Sequence, residues 1–397
     1  MQTEPGLMNI VFIWTSPFLN GGGVGSATAK LAAALRQKGY GVNFLSLGFG
    51  KEYEKDGITQ FFLSADKKIS VPEKILRLRA FLEKHATNIL INQSGIDRNV
   101  MRIIKKSNTG GVKVFSVHHN CISCLQHQFS HIIKGNSRDK FYYPLINNRL
   151  GISFLKLKSK LKYRRYFEYA IANSDRLVLL SPSFIPELKT YLKHPPAQKI
   201  SAIPNPASFD VAADTEPKKK NRLLYVGRIE YVQKQVNLLL DIWKKISVKH
   251  TDWHFDIVGK GAALNELKQR AESDKLQNLQ FHGQMNPVIF FEQAKFFLMV
   301  SAFEGFPMVL VEAQAYGTVP FSFDSFSALS DIVHPGVSGM MIEPFDINKY
   351  SEALADLMGD ENKRRQMAAS CQQSMMKFNA ATIAGRWIDL FDEVSRN

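Results

Sequence analysis

Short, continuous apolar runs rich in β-branched residues alternate with helical segments along this chain, and the alternation stops once and then restarts. In the first half the runs are NIVFIW (9–14), GVNFLSL (41–47), NILIN (88–92), VKVFSVH (112–118) and RLVLLS (176–181). Strands of this kind separated by helices predict a doubly wound, mostly parallel sheet. The rhythm breaks at 194–220, where Pro195, Pro196, Pro204 and Pro206 precede TEPKKKN, which is linker chemistry. It resumes with NRLLYVG (221–227), WHFDIVG (253–259), LQFHG (279–283), FFLMVS (296–301) and VPFSF (319–323), with helices expected near 235–248 and 262–273. A chain of 397 residues exceeds one ordinary core. Two α/β domains of one architecture, 1–204 and 205–379, are therefore expected. The last segment, AATIAGRWIDLFDEVSRN, reads as an amphipathic helix bearing Trp387, Leu390 and Phe391.

Charge separates the halves. Residues 1–204 hold 30 Lys/Arg against 12 Asp/Glu, whereas residues 205–397 hold 21 against 24. The densest stretch runs from Lys134 to Arg165, with Asp139 its only acid. An anionic partner for the first half follows: a membrane surface, a phosphorylated substrate or nucleic acid. No apolar run is long enough to span a bilayer, and the N-terminal stretch lacks the basic flank of a signal peptide. Three cysteines cannot build a disulfide framework, so free thiols in a reducing cytoplasm are expected.

Three loops carry the chemistry. NGGGVGS (20–26) lies between a strand and an expected helix capped by Ser26, where backbone N–H groups can approach an anion. A dinucleotide fingerprint needs Gly or Ala where this chain has Ser26 and Thr28, and a Walker loop needs a following Gly-Lys-Ser/Thr. What remains is a loop that cradles a phosphate or lets a sugar pass close to the backbone, or a purely structural turn. VGRIEYVQK places Gly227, Arg228 and Lys234 at the C-terminal end of a strand, where open α/β sheets bind ligands and where Arg and Lys can clamp a diphosphate. Ordinary surface cations are the alternative there. SAFEGFPMVLVEA (301–313) has Pro307 suited to the first position of a helix, with free N–H groups at Met308, Val309 and Leu310. Glu312 then lies one turn in, near hydroxyls of a ligand whose phosphate sits at the helix end. Glu304 precedes the helix and reaches the part beyond the phosphates. Two unrelated acids on an amphipathic helix would be the bland reading of the same stretch.

Taken together, Gly227-Arg228 with Lys234, Val258-Gly259-x-Gly261, Phe281-His282-Gly283 and Ser301-x-x-Glu304-Gly305-Phe306-Pro307 leading to Glu312-Ala313 resemble the retaining, nucleotide-sugar-dependent glycosyltransferases of the GT-B fold, family 4. Asn173-Ser174-Asp175, Ile203-Pro204-Asn205-Pro206 and Ser330-Asp331-Ile332-Val333 extend the resemblance over nearly the whole chain. It implies two Rossmann-like domains facing a central cleft, with a helix at about 380–397 returning to the N-terminal domain. By the same resemblance, Arg228 and Lys234 hold the donor diphosphate, Glu312 the ribose and Glu304 the donor sugar. Gly22 and Gly23 lie beside the phosphates, and Gly227, Gly305, Phe306, Pro307, Met308 and Val309 line the donor site. A histidine ending an N-domain strand faces the transferred sugar. Neighbours on a strand point to opposite sides, so only one of His118 and His119 faces the cleft; the family's pattern of a histidine followed by a small polar residue, His119-Asn120 here, implies His119. Two departures stand out: Gln235 follows Lys234 where the family usually has glycine, and Ser325-Phe326-Ser327-Ala328-Leu329 replaces a glycine-rich turn.

The implied reaction moves a hexose-type sugar, with retention, from a UDP-sugar to a hydroxyl of a lipid-linked or envelope-glycan acceptor. No cofactor and no metal are expected, since Arg228, Lys234 and a helix end offset the diphosphate and no Asp-x-Asp motif is present. Front-face substitution needs no protein nucleophile; Glu304 as a nucleophile would fit double displacement. The basic N-terminal half suits peripheral contact with the inner face of a membrane, KLKYRRYFEY (160–169) in particular. A nucleotide-sugar epimerase on the same fold is one alternative. A nucleic-acid binder is another, and no recognition motif for nucleic acid supports it. HHNCISCLQH (118–127) raises a zinc site, but no second ligand pair accompanies Cys121 and Cys124.

Overall fold

The computed structural model describes residues 8–18, 22–122, 149–207 and 219–396. The chain divides into two compact units, Met1–Ser208 with Phe378–Asn397, and Phe209–Lys377.

In the N-terminal unit the strands are β1 (Asn9–Trp14), β2 (Gly41–Phe49), β3 (Tyr53–Lys55), β4 (Ile58–Ser64), β5 (Thr87–Asn92), β6 (Lys113–His118), β7 (Arg176–Leu179) and β8 (Ile200–Ala202). They form one sheet in the order β3-β4-β2-β1-β5-β6-β7-β8, parallel except for the β3–β4 hairpin at one edge. Ile10, Val11, Phe12 and Ile13 of β1 are all fully buried, because helices cover both faces of a parallel sheet. One face is packed by α2 (Val71–Lys84) and α3 (Arg98–Ser107), with α4 (Arg149–Ala172) against α3. The other holds α1 (Gly22–Gln37) and the C-terminal helix, α13 (Ala380–Arg396); α5 (Phe184–Lys189) follows β7. Phe115 of β6 sits 6.0 Å from the Trp387 ring and 5.1 Å from that of Phe391, and Arg176 pairs with Glu393. Ile383, Trp387, Leu390, Phe391 and Val394 are buried. At about 2 kcal/mol each, gross, they hold the last helix on this unit.

In the C-terminal unit the strands are β9 (Lys220–Val226), β10 (His254–Val258), β11 (Leu279–Gly283), β12 (Ala294–Met299), β13 (Val319–Phe323) and β14 (Met340–Ile342). Their order, β11-β10-β9-β12-β13-β14, is wholly parallel. The helices are α6 (Asn237–Ile246), α7 (Leu264–Ser273), α8 (Val288–Gln293), α9 (Met308–Ala315), α10 (Leu329–Ile332), α11 (Ile347–Gly359) and α12 (Glu361–Met375). Trp243, Phe255, Phe296, Phe321 and Tyr350 build the core. Strand order reverses between β9 and β12, so the loops leaving these two strands meet at the switch point where such sheets bind ligands.

Two local expectations are corrected. α1 starts at Gly22, not after Ser26: Gly22 turns the chain into the helix with φ +55°, and Ser26 is an exposed residue within it. Gly25 is needed for closeness, since a Cβ there would stand 2.2 Å from the Phe18 carbonyl oxygen. Cys121 is disulfide-bonded and not a free thiol; Cys124, His127 and Lys134 lie outside the described residues.

Candidate active site

The loop after β9 is built to hold one shape. The Gly227 N–H donates to the Val258 carbonyl at 3.0 Å and the Ile229 N–H to that of Lys260 at 2.9 Å. A Cβ on Gly259 would lie 1.8 Å from the Gly227 oxygen, and one on Gly261 would lie 2.1 Å from the Ile229 oxygen. The glycines after β10 thus let the two loops touch backbone to backbone. Glu230 then folds its carboxylate over the turn and accepts the N–H groups of Val232, Gln233 and Lys234 at 3.1–3.3 Å. The Tyr225 hydroxyl donates to the Arg228 carbonyl at 2.8 Å; burial, then the carboxylate of Glu304, holds this phenol well above its usual range.

The loop after β12 meets it. The Ala302 N–H donates to the Gln233 carbonyl at 2.7 Å. Lys234 Nζ lies 2.5 Å from Glu304 Oε1, with the two side chains only 13% and 8% exposed. The Gln233 amide joins both ends of this arrangement: its Oε1 accepts from the exposed Arg228 guanidinium at 2.6 Å, and its Nε2 donates to Glu304 Oε2 at 3.2 Å and to the Phe303 carbonyl at 3.2 Å. Arg228, Gln233, Lys234 and Glu304 are one polar network. Sequence reasoning missed Gln233 and Glu230, although both stand in VGRIEYVQK and a Gln beside a Lys was the available signal.

Beyond Glu304 the chain passes Gly305 and the buried Phe306 into α9. Pro307 is the N-cap, with ψ 97°, and not the first helical residue. Its carbonyl accepts the Leu310 N–H at 3.0 Å, so that group is spent inside the helix. The N–H groups of Met308 and Val309 precede any intrahelical acceptor. Glu312 is half-buried in the next turn. Ser301, 1% exposed, has a hydroxyl with no hydrogen-bond partner among the described residues, and its carbonyl accepts from Ser325 Oγ at 2.6 Å. The segment in place of a glycine-rich turn is therefore tied to the end of β12. Gln235 adopts φ +45°, the left-handed conformation that favours glycine.

In the N-terminal unit, Gly22 and Gly23 form the exposed start of α1. The two histidines after β6 diverge. His118 is buried edge-on against Phe167, 5.4 Å between ring centres, and burial pushes its pKa down to about 4. His119 is partly exposed, bonds to Gln93 Oε1 at 2.5 Å, and is pushed down to about 3 by burial and by His118. Both are neutral near pH 7. Gln93 follows β5, so this pair stands at the C-terminal end of the sheet, beside the switch point between β1 and β5.

Comparison with known proteins decides the class. Residues 208–373 match the family described as Glycosyl transferases group 1. The amylovoran biosynthesis glycosyltransferase AmsD of Erwinia amylovora is 25% identical over 385 residues, covering 94% of this chain and 97% of that one. This chain is a glycosyltransferase of the GT-B fold. The lipopolysaccharide outer core galactosyltransferase WaaB, in its apo form, superposes with a TM-score of 0.69 at 18% identity, covering 97% of this chain and all of the other. Anabaena Alr3699/HepE in complex with UDP and glucose gives 0.71 at 13%, with the same coverage. The GT-B chain described here shares its fold with both.

Proposed function

We propose that the chain transfers a hexose-type sugar, with retention, from UDP-sugar to a hydroxyl of a lipid-linked or cell-envelope glycan. The observation that carries this reading is the Lys234–Glu304 pair at 2.5 Å. It brings a cation for a diphosphate and a carboxylate for sugar hydroxyls together where the loops after β9 and β12 meet. Arg228, held by Gln233, supplies a second cation. The similarity to AmsD and WaaB supports a bacterial surface glycan as acceptor, and that to a protein solved with UDP and glucose supports uridine.

In this mechanism Arg228, Lys234 and the first N–H groups of α9 stabilise the charge that develops on the departing diphosphate. Gly22, Gly23 and Gly227 leave room for the phosphates. Glu312 accepts the ribose hydroxyls and Glu304 those of the sugar. The acceptor oxygen bonds to the anomeric carbon on the face from which the phosphate oxygen leaves, and that oxygen takes the acceptor's proton. His119, neutral and hydrogen-bonded to Gln93, serves the transferred sugar as a dipole and not as an acid. Two cations and a helix end carry the diphosphate charge, so activity is expected to survive chelation of divalent metals. Contact of the basic N-terminal unit with the inner membrane face belongs to the same reading.

A panel of nucleotide sugars, followed by thermal shift and by release of nucleotide, tests it. UDP-sugars should raise the melting temperature of the wild type, and Arg228→Ala and Glu312→Ala should abolish the rise. Stabilisation by no UDP- or GDP-sugar, or persistence in both variants, rejects the donor site. Turnover of free UDP-sugar to its epimer without acceptor would favour an epimerase instead.

A further inference from the structure

We propose that the outward face of α4 is a docking surface for an anionic lipid bilayer. The helix is seated along one side and, at its C-terminal turn, also against α3. Ser159, Phe167, Ala170 and Ile171 are buried, Phe167 lies against His118, and Tyr169 packs beneath Arg98 and Lys105 at 5.3 and 5.9 Å. At 3.6 residues per turn the opposite side carries Phe154, Leu157 and Leu161, spaced three and four apart in one stripe. They are 65%, 55% and 47% exposed. Three large apolar side chains in line on one helix form a patch of the kind that marks an interaction surface.

The charges beside the stripe identify what it takes. Lys158, Lys162 and Arg165 run along one edge, and Lys160 and Arg164 along the other, all of them exposed. Glu168 is the only acid in the helix and is paired with Arg164 at 2.8 Å. A polyanion such as nucleic acid would use the cations and leave the Phe and Leu side chains in water. A bilayer takes both, with the apolar stripe entering the headgroup region and the lysines reaching outward to lipid phosphates. No helix among the described residues is long and apolar enough to cross a membrane, so α4 lies on the surface. Because Phe167 fixes α4 to the residue before His119, docking would hold the C-terminal end of the N-terminal sheet at the bilayer, as an acceptor carried on lipid requires.

This deepens the membrane contact of the proposed function and is independent of the donor-site assignment, so the two fail separately. The full chain is sedimented with phosphatidylcholine vesicles with and without phosphatidylglycerol, while UDP binding and melting temperature are followed in parallel. Wild type should sediment with the anionic vesicles and come off as salt rises. F154S/L157S/L161S should weaken partitioning at least about thirtyfold. K158Q/K160Q/K162Q should weaken it about fivefold per lysine and erase the preference for phosphatidylglycerol. Both should melt and bind UDP as wild type does. The proposal is overturned if wild type ignores anionic vesicles or binds neutral ones equally. It is also overturned if only the lysine variant loses binding, which would mark α4 as a general polyanion site.

Discussion

Replacing Glu304 by Gln should separate nucleotide binding from sugar transfer, and should strengthen the first while crippling the second. Lys234 is 2.5 Å from Glu304 and both side chains are nearly buried. A diphosphate that needs the ammonium must therefore compete with the carboxylate for it. At an effective dielectric of about 20 the gross attraction is about 7 kcal/mol, most of it offset by desolvation of the two ions. If donor binding surrenders about 1 kcal/mol of what remains, removing the competing charge tightens UDP binding about fivefold. Gln keeps the shape and still accepts from Gln233 Nε2, but it leaves Lys234 buried without a counter-charge. Breaking such a pair costs about 3 kcal/mol, so the free variant should melt roughly 6–10 °C lower, and saturating UDP should recover most of that loss. Transfer should fall at least about a hundredfold, because the sugar hydroxyls lose a charged acceptor. Titration calorimetry with UDP, melting curves with and without UDP, and discontinuous transfer assays check the three parts. A loss of UDP affinity in Glu304→Gln as large as in Lys234→Met would refute the competition, since Glu304 would then be holding the nucleotide.

Gln233→Leu keeps the volume but removes the hydrogen bonds to Arg228 and Glu304; the donor KM should rise about tenfold, with little change in melting temperature, in steady-state assays. Gly259→Ala should abolish UDP binding and lower the melting temperature of the C-terminal unit, because its Cβ would stand 1.8 Å from the Gly227 carbonyl oxygen. The histidines set an acid limit for the N-terminal unit. His118 falls from 6.5 to about 4 on folding, so the unfolded chain takes up the proton first. The associated stability is complete above about pH 6.5 and is lost as pH drops toward 4, by about 3 kcal/mol at the lower end. His118→Gln should reduce the slope of the melting-temperature profile over that window, with His119, pushed down to about 3, carrying the remainder; an unchanged profile would show that His118 carries none of it.

The central strands of both sheets were legible because their faces are both covered, which demands the continuous apolar runs seen in β1, β5, β12 and β13. The edges were not. β8 and β14 have three residues each, too few to show a period. The β3–β4 hairpin did leave a signal, Asp56-Gly57, whose φ values of 54° and 71° fit the two-residue turn that such a dipeptide favours. It was overlooked among charged neighbours. The start of α1 was misplaced for a physical reason: Gly22, Gly23 and Gly25 are poor helix formers, yet the last is required where the helix passes over the Phe18 carbonyl.

In the candidate site, residue types were legible and their connections were not. Arg228, Lys234, Glu304 and Glu312 each sit in a loop or helix start after a strand, and that placement in the sequence is what suggests a ligand with phosphates and hydroxyls. That Lys234 spends its charge on Glu304, or that Gln233 joins Arg228 to Glu304, depends on distances between segments about 70 residues apart. Gln235 shows how far a motif can bend. Its left-handed backbone costs about 1–2 kcal/mol that glycine would avoid, yet the turn keeps that conformation. Glu230 fixes three successive N–H groups ahead of it, and the Leu238 N–H returns to the Gln235 carbonyl at 2.9 Å. With both sides of the residue tied, the strain is local and the loop does not open. A departure from a sequence pattern is therefore not a departure in backbone where neighbouring hydrogen bonds over-determine the turn, and Lys234 is presented to Glu304 by a turn whose shape those neighbours set.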